Sequence, residues 1–450
     1  MAAGTIEIRN PADGSVVGTI PAVGEDELEA ALAEANRVRP GWARTAVAER
    51  GALLHAAAER LRANADNLAA ANEAETGRPR DEAREGVLAG AGTLDQYAEL
   101  GPVHRGRSLL GDVGATDLMV PEPRGVVVAL TPWNDPVAVA CGLLGAALVT
   151  GNTVVHKPSE RAPHTGALLG EVLAGVLPGG VLQTVQGDGG VGALLAMRGD
   201  VDVIAHVGST ATGRSIAASA AATGAKTLLE NGGNDPLVVD ADVDPVWAAG
   251  QAALGAFANS GQICVAVERI YVHEAVAEPF LAALVKEAEA RTVAPLVDRR
   301  HRDHVHSHVE DAAGRGARVL TGGVLPEGPG AHYPATVLTG CTPELRVMTE
   351  ETFGPVAPVQ VVPSFDDGLA QAARGDYGLA ATVLTASMAH AQRAWRELPA
   401  GTVKVNAVFG GAPGGAAHPR RRSGNGYGYG PELLDEMTQT KLVHVAPPGG

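Results

Sequence analysis

Three residues have the side chains and the settings for nucleophilic chemistry. Cys264 closes the stretch Phe257-Ala-Asn259-Ser-Gly261-Gln262-Ile-Cys264. A thiolate is a strong nucleophile, and an inert core cysteine does not need Asn, Ser, Gly and Gln immediately upstream. Glu230 ends the apolar run Thr227-Leu-Leu-Glu230 and precedes Asn231-Gly232-Gly233-Asn234. A carboxylate at a strand end before a flexible turn can face a cleft and move protons there. Asn134, in Thr131-Pro132-Trp133-Asn134-Asp135-Pro136, follows an expected strand, and its amide can donate to a developing oxyanion. Each residue alone also has an ordinary reading: a small buried hydrophobe, a solvated turn residue and a turn-capping amide.

Other motifs are weaker. Gly187-Asp-Gly189-Gly-Val-Gly192 fits G-x-G-x-x-G between a strand and a helix, but the acid expected about 20 residues later is not at a convincing strand end. Val207-Gly208-Ser209-Thr210-Ala-Thr-Gly213 is a better anion site, because N–H groups and a hydroxyl gather at a helix N-terminus. It reads equally as a capped strand–helix turn. His304 and His308 have i,i+4 spacing, yet no Cys or carboxylate completes a metal site, and no metal is expected. Arg420-Arg421-Arg422 is a basic run in an acidic chain, suited to a surface or subunit contact or to an anionic substrate.

These residues need elements to hold them. Leu28, Ala31, Leu32, Ala35 and Val38 fall at helical spacing, as do Leu53, Leu54, Ala57 and Leu61. The first hundred residues therefore read as helical, with a stop at Gly77 and Pro79. From Gly125 strands alternate with helices. The expected strands are 126–131, 153–156, 181–186 and 201–207, then 237–239, 269–273, 359–362, 381–384 and 402–405. This alternation predicts an α/β fold of two doubly wound units with a cleft between them. Gly410 to Gly430 reads as an irregular loop.

Composition sets outer limits. The 450 residues suffice for two to four units at about 100–200 residues each. With 35 basic and 51 acidic side chains the net charge is −16, a poor match to nucleic-acid phosphates. Three scattered cysteines argue against a disulfide scaffold and suit a reducing, cytoplasmic setting. The longest apolar run, 136–150, is too short for a bilayer, which takes about 20 residues, and no signal-peptide pattern is seen at the N-terminus.

In this order, the motifs resemble the NAD(P)-dependent aldehyde dehydrogenase superfamily. The resemblance runs from about Ile8-Arg-Asn-Pro to Lys441-Leu-Val. It is carried by Thr131–Pro136, Gly151-Asn-Thr-Val-Val-His-Lys157-Pro-Ser-Glu160, Gly208–Gly213, Leu229–Pro236, Phe257–Cys264, Glu350-Glu351-Thr-Phe353-Gly-Pro355 and Val405-Asn406. The 34-position separation of Glu230 and Cys264 is also similar to the family's.

The resemblance implies a Rossmann-like NAD-binding domain (1–104 and 120–229), an α/β catalytic domain (230–423) and a small β oligomerisation flap (105–119 and 424–445). It implies that Cys264 is the nucleophile, Glu230 the general base, and Asn134 with the Cys264 N–H the oxyanion hole. Lys157 and Glu160 would bind the adenosine ribose, with Ser159 beside them. Thr131, Pro132, Trp133, Gly208, Ser209, Gly213 and Asn231 would line the rest of the cofactor path, and Glu351 and Phe353 the nicotinamide end. The expected reaction is NAD-dependent oxidation of an aldehyde to an acid through a thioester. Glu160 favours NAD over NADP, since a carboxylate suits ribose hydroxyls and repels a 2′-phosphate. A homodimer or homotetramer is implied, with a small-molecule aldehyde as substrate. The alternatives are a CoA-acylating relative, which generally lacks the base, a non-catalytic NAD-binding protein of the same fold and an esterase using the same thiol.

The chain departs from the family pattern at Asp135, Asn231, Asn234 and the segment Ala416-Ala-His418-Pro-Arg-Arg-Arg422. The segment near Arg291–Leu296 is also about ten residues shorter. None of these changes removes a catalytic group, but several neighbour the expected substrate tunnel. Scarce aromatics and Asp135 argue against a long-chain pocket.

Overall fold

The computed structural model describes residues 4–411 and 414–448. Two parallel-stranded sheets carry the architecture. The first has six strands in the order Gly424–Asn425, Lys226–Glu230, Val203–Val207, Val126–Thr131, Thr153–Pro158, Leu182–Thr184. Val126–Thr131 lies centrally, with Val127 paired to both Val154 and Val203, and all six of its residues are buried. Such strands need apolar, β-branched residues on both faces, which explains the Val-rich runs. All pairings are parallel except the first of these, where Gly424 and Asn425 run antiparallel to Glu230 and Leu229.

The second sheet has seven strands in the order Arg318–Thr321, Thr336–Thr339, Val356–Val362, Val267–His273, Asp235–Val239, Ala380–Leu384, Thr402–Val405. Only its outermost Arg318–Thr321 is antiparallel to its neighbour. Helices cover the sheets. Pro136–Val149, buried at nearly every position, packs against Arg80–Leu100 in a core with Leu94, Tyr97, Leu144 and Leu148.

The helical reading of the first hundred residues holds for Glu25–Arg44, Val47–Ala63, Ala65–Thr76 and Arg80–Leu100. It needs two corrections. A hairpin of Thr5–Arg9 and Val16–Pro21 precedes the helices. The second helix also breaks at Asn64, whose amide donates to the Arg60 carbonyl. Gly77 caps its helix in the left-handed conformation, at φ 75°. The stretch 410–430 is not wholly irregular, since Gly424–Asn425 joins the first sheet; Ala412 and Pro413 lie outside the described residues.

A separate three-stranded antiparallel sheet joins Thr438–Val445, Thr116–Pro123 and Arg107–Leu109. No helix among the described residues is long and apolar enough to cross a membrane.

The positioning of the site follows from this layout. Thr131, Pro158, Val207 and Glu230 end neighbouring strands of the first sheet, so the residues after them gather at its carboxyl edge. That edge is where open α/β sheets bind ligands. Asn234, Cys264 and Phe353 lie just ahead of three adjacent strands of the second sheet. The two edges meet at the site.

Candidate active site

The loop before Cys264 is held in an uncommon shape. Asn259, Ser260 and Gly261 are consecutively left-handed, with φ of 46°, 56° and 73°. Two non-glycine residues in that region are costly and persist only where the surroundings over-determine them. Asn259 Nδ2 donates to the Asn134 and Gln262 carbonyls, Ser260 Oγ donates to the Ala294 carbonyl, and Gln262 Oε1 accepts from the Val297 N–H at 2.9 Å. The polar residues ahead of the cysteine are therefore its scaffold. Gly261 is required twice over, because a Cβ there would overlap the Gly354 carbonyl.

Cys264 and Glu230 come together. The sulfur lies 3.7 Å from Glu230 Oε1, within reach of an S–H hydrogen bond. Burial pushes the Glu230 carboxyl up. Burial, followed by the negative fields of Glu230, Asp235 and Glu351, raises the Cys264 thiol well above its ordinary range. The thiol thus rests protonated and points its S–H toward the Glu230 carboxyl. Gly428 passes directly over that carboxylate, since a Cβ on it would lie 2.7 Å from Glu230 Oε2.

Asn134 reaches the same place from the first sheet. Its Nδ2 donates to the Gln262 carbonyl at 3.0 Å, which uses one of two amide hydrogens. The Cys264 N–H has no acceptor among the described residues. Asn134 and Cys264 line the same cavity.

Glu351 folds back to accept from the Gly233 N–H at 2.9 Å, and a Cβ on Gly232 would overlap its carboxylate. Phe353 has φ 52°, held by its N–H donating to Glu268 Oε1 at 2.7 Å. Glu268 also accepts from the Thr352 N–H and from Asn234 Nδ2. Asn234 is thereby accounted for, as part of the buried clamp on the 352–353 loop. Burial raises the Glu268 carboxyl to about 7.

Two connected cavities serve this centre. One, of about 270 Å³, is walled by Asn134, Glu230, Asn231, Cys264, Glu351 and Phe353, among others. The other, of about 670 Å³, extends past Thr131, Lys157, Ser159 and Glu160. Pro132, Trp133, Gly208 and Ser209 line both. Every sequence-derived site residue except Gly213 lines one of them. Gly213 sits behind Asn231, where a Cβ would overlap the Asn231 amide.

The larger cavity fits a dinucleotide. Lys157 is buried, donates to the Pro158 carbonyl and lies 3.7 Å from Glu160, so its charge is compensated at the cavity wall. Ser209 caps the helix Thr210–Thr223, accepting from the Thr212 N–H, and the N-terminal turn of that helix favours an anion. The Gly187–Gly192 loop borders the cavity, but Asp188 caps its own helix there. A carboxylate at that N-terminus disfavours a phosphate.

Several features escaped the sequence. Arg161, His301 and His304 line the smaller cavity. His301 Nε2 donates to the Phe353 carbonyl at 2.7 Å, and burial pushes the ring down to about 4. The i,i+3 spacing of His301 and His304 on the helix Arg299–Gly314 is visible in the sequence, but nothing local shows which face meets the site. Among the described residues no group of three or more His, Cys, Asp or Glu side chains is placed to hold a metal. Asp135 is absent from the cavity lining and pairs with Arg78 at 3.0 Å. Arg421 donates to the Ala373 and Gly375 carbonyls, and Arg422 pairs with Asp376 at 3.0 Å. These arginines tie down a neighbouring loop and line neither cavity.

Comparison with known proteins agrees with this geometry. Residues 1–443 match the Aldehyde dehydrogenase family. The 2-hydroxymuconic semialdehyde dehydrogenase of Pseudomonas sp. (strain CF600) is 34% identical, over 98% of this chain and 96% of that one. A putative aldehyde dehydrogenase from Burkholderia cenocepacia superimposes with TM-score 0.95 at 33% identity, covering 99% of this chain and 96% of that one. An indole-3-acetaldehyde dehydrogenase solved with NAD+ superimposes with TM-score 0.95 at 30% identity, covering 98% and 93% of the two chains. The chain belongs to the aldehyde dehydrogenase family. It is an oxidoreductase that converts an aldehyde to an acid with a nicotinamide dinucleotide.

Proposed function

We propose that Cys264, Glu230 and Asn134 carry this oxidation, with NAD as the preferred cofactor and hydrolysis as the final step. The observation that carries the reading is the 3.7 Å approach of the thiol to the Glu230 carboxylate inside a cavity shared with Asn134. Glu230 takes the thiol proton as sulfur bonds to the aldehyde carbon. The resulting oxyanion lies against the Asn134 amide and the Cys264 N–H. The bound dinucleotide supplies the hydride acceptor. Collapse of the oxyanion leaves a thioester on Cys264. Glu230 gives the thiol's proton up to solvent, then removes a proton from water as the oxygen attacks the acyl carbon, and passes that proton to the sulfur as the thiol departs. The sum is aldehyde, oxidised cofactor and water giving acid, reduced cofactor and a proton. A base in place beside the thiol favours water over coenzyme A as the acyl acceptor.

Glu160 at the cavity wall supports NAD over NADP, since a 2′-phosphate would meet its negative charge. The smaller cavity supports a short aldehyde, because its 270 Å³ must also admit a nicotinamide ring. The division into a cofactor domain, a catalytic domain and a flap is part of the reading, supported by the separate sheets. The exposed Leu110, Leu442 and Val445 on or beside the three-stranded sheet support a homo-oligomer built there. The three free cysteines support a reducing, cytoplasmic setting.

The test is cofactor reduction across short aliphatic, aromatic and carboxylate-bearing aldehydes, with NAD and NADP in parallel. Reduction with NAD by wild type, reduced ~10³-fold or more in Cys264→Ser with NAD binding retained, is expected. Full turnover in Cys264→Ser would remove the thiol from the mechanism.

A further inference from the structure

The two cavities meet at a neck, and its wall is the residues common to both: Pro132, Trp133, Arg161, Val207, Gly208 and Ser209. Arg161 is the single charged side chain among them. Its guanidinium carbon lies 5.5 Å from the Trp133 ring centroid, and its Nε lies 2.9 Å from Asp298 Oδ2. These contacts fix the plane of the guanidinium without using its outer edge. Among the described residues no hydrogen bond engages the two terminal nitrogens. The other cations of the larger cavity are placed differently. Lys157 is committed to Glu160, and Arg300 lines the larger cavity alone.

A second, independent feature favours an anion at this neck. Ser209 begins the fourteen-residue helix Thr210–Thr223, whose N-terminal dipole carries partial positive charge. A dinucleotide with one nucleoside in each cavity must pass its diphosphate bridge through the neck. We propose that Arg161 grips that diphosphate, opposite the Ser209 helix end, and so sets how deeply the cofactor's reactive half enters the Cys264 cavity. The proposal rests on the dinucleotide occupying both cavities. Planar guanidinium suits this task, since paired N–H groups match adjacent phosphate oxygens. Asp298 and Trp133 act as positioning residues for it.

The test compares ligands with and without the diphosphate on the full chain, using titration calorimetry with competition for the weak binder. In Arg161→Gln the Kd of NAD and of ADP should rise ~10–100-fold, as for loss of a charge-assisted contact, while adenosine binds unchanged. The dependence of NAD affinity on salt should weaken in parallel. If Arg161→Gln does not fold, Arg161→Lys carries the test, because it keeps the charge but loses the fork; ADP must weaken and adenosine must not. Equal losses for ADP and adenosine would make Arg161 a structural residue and overturn the proposal. So would unchanged ADP affinity with a raised KM for a carboxylate-bearing aldehyde, which would turn Arg161 toward the substrate. A wild-type chain that binds adenosine but neither ADP nor NAD would instead defeat the cofactor placement itself.

Discussion

The Glu230 carboxyl stands 3.7 Å from the Cys264 sulfur, although the two are held by different sheets. Glu230 ends a strand of the first sheet and Cys264 precedes a strand of the second, with the Asn231–Asn234 turn between them. Both groups are pushed toward their protonated forms by burial. A base with a raised pKa beside a reluctant thiol is a pair that transfers a proton only when the thiol attacks.

Glu230→Gln separates the two halves of the reaction. With the base gone, hydrolysis of the thioester is the blocked step. A burst of reduced cofactor near one equivalent should appear, followed by a steady rate ~10²–10⁴-fold below wild type. Mass spectrometry of the quenched protein should show the acyl adduct on Cys264. Because the folded carboxyl titrates above its ordinary range, the wild-type rate should climb with pH beyond the usual carboxylate region, and this limb should vanish in the variant. An unaltered steady rate would point to another base.

Asn134→Ala tests the oxyanion assignment. Loss of one preorganised donor typically lowers kcat ~10²–10³-fold. The expected loss falls on kcat, with KM for the aldehyde changed far less, since the charge exists only after attack. A loss confined to KM would make Asn134 a substrate-binding group.

Gly261→Ala tests the scaffold of the cysteine loop. An alanine at φ 73° pays about 1–2 kcal/mol for its backbone alone, before its methyl meets the Gly354 carbonyl. Thermal unfolding should begin several degrees lower, and activity should fall further than folding does. A variant with wild-type stability and rate would show that the loop is not tightly held.

His206→Phe should stabilise the protein. His206 is buried at the wall of the larger cavity, and neither ring nitrogen makes a well-formed hydrogen bond among the described residues, the Ser209 backbone offering only a weak contact. An unsatisfied buried polar group costs about 1–3 kcal/mol. Burial also pushes the ring down to about 4 from an ordinary 6.5. Between those values the unfolded chain binds a proton that the native state refuses, so wild-type stability is lost as pH falls through that window. The advantage of phenylalanine should therefore widen by up to about 1.4 kcal/mol per pH unit from 6.5 toward 4. Denaturant titrations of both proteins at about pH 7.5 and 5 give the comparison; a constant difference would place the ring in contact with water.

The strands of both sheets were legible because buried parallel strands are written as continuous β-branched runs, as in Val126–Thr131. The cysteine loop was legible through its polar approach, and the structure gives each of Asn259, Ser260 and Gln262 a bond. The hairpin Thr5–Arg9 with Val16–Pro21 was missed because it is short and largely exposed, leaving little apolar patterning. Arg161 was missed for another reason. What marks it is the meeting of Trp133 and Asp298, which lie 28 and 137 positions away in the chain, and no local pattern reports such a meeting. Asp135 was misleading in the same way, since its partner Arg78 comes from a distant helix end.

The pairing of Gly424 with Glu230 reaches beyond architecture. After completing the second sheet, the chain crosses back and lays two residues along the strand that ends in Glu230, while the Ser423 carbonyl accepts from the Asn231 N–H at 2.8 Å. The C-terminal thirty or so residues are thus a clasp fastened beside the base. A chain cut after Arg420 would keep every strand of the second sheet and the cysteine loop, yet lose the latch on residues 229–231. That cut would also strip Leu433, Leu434 and Met437 from the core beneath the first sheet, so the clasp beside the base is also a stay of the fold, and truncation from that end should lower hydrolysis and stability together.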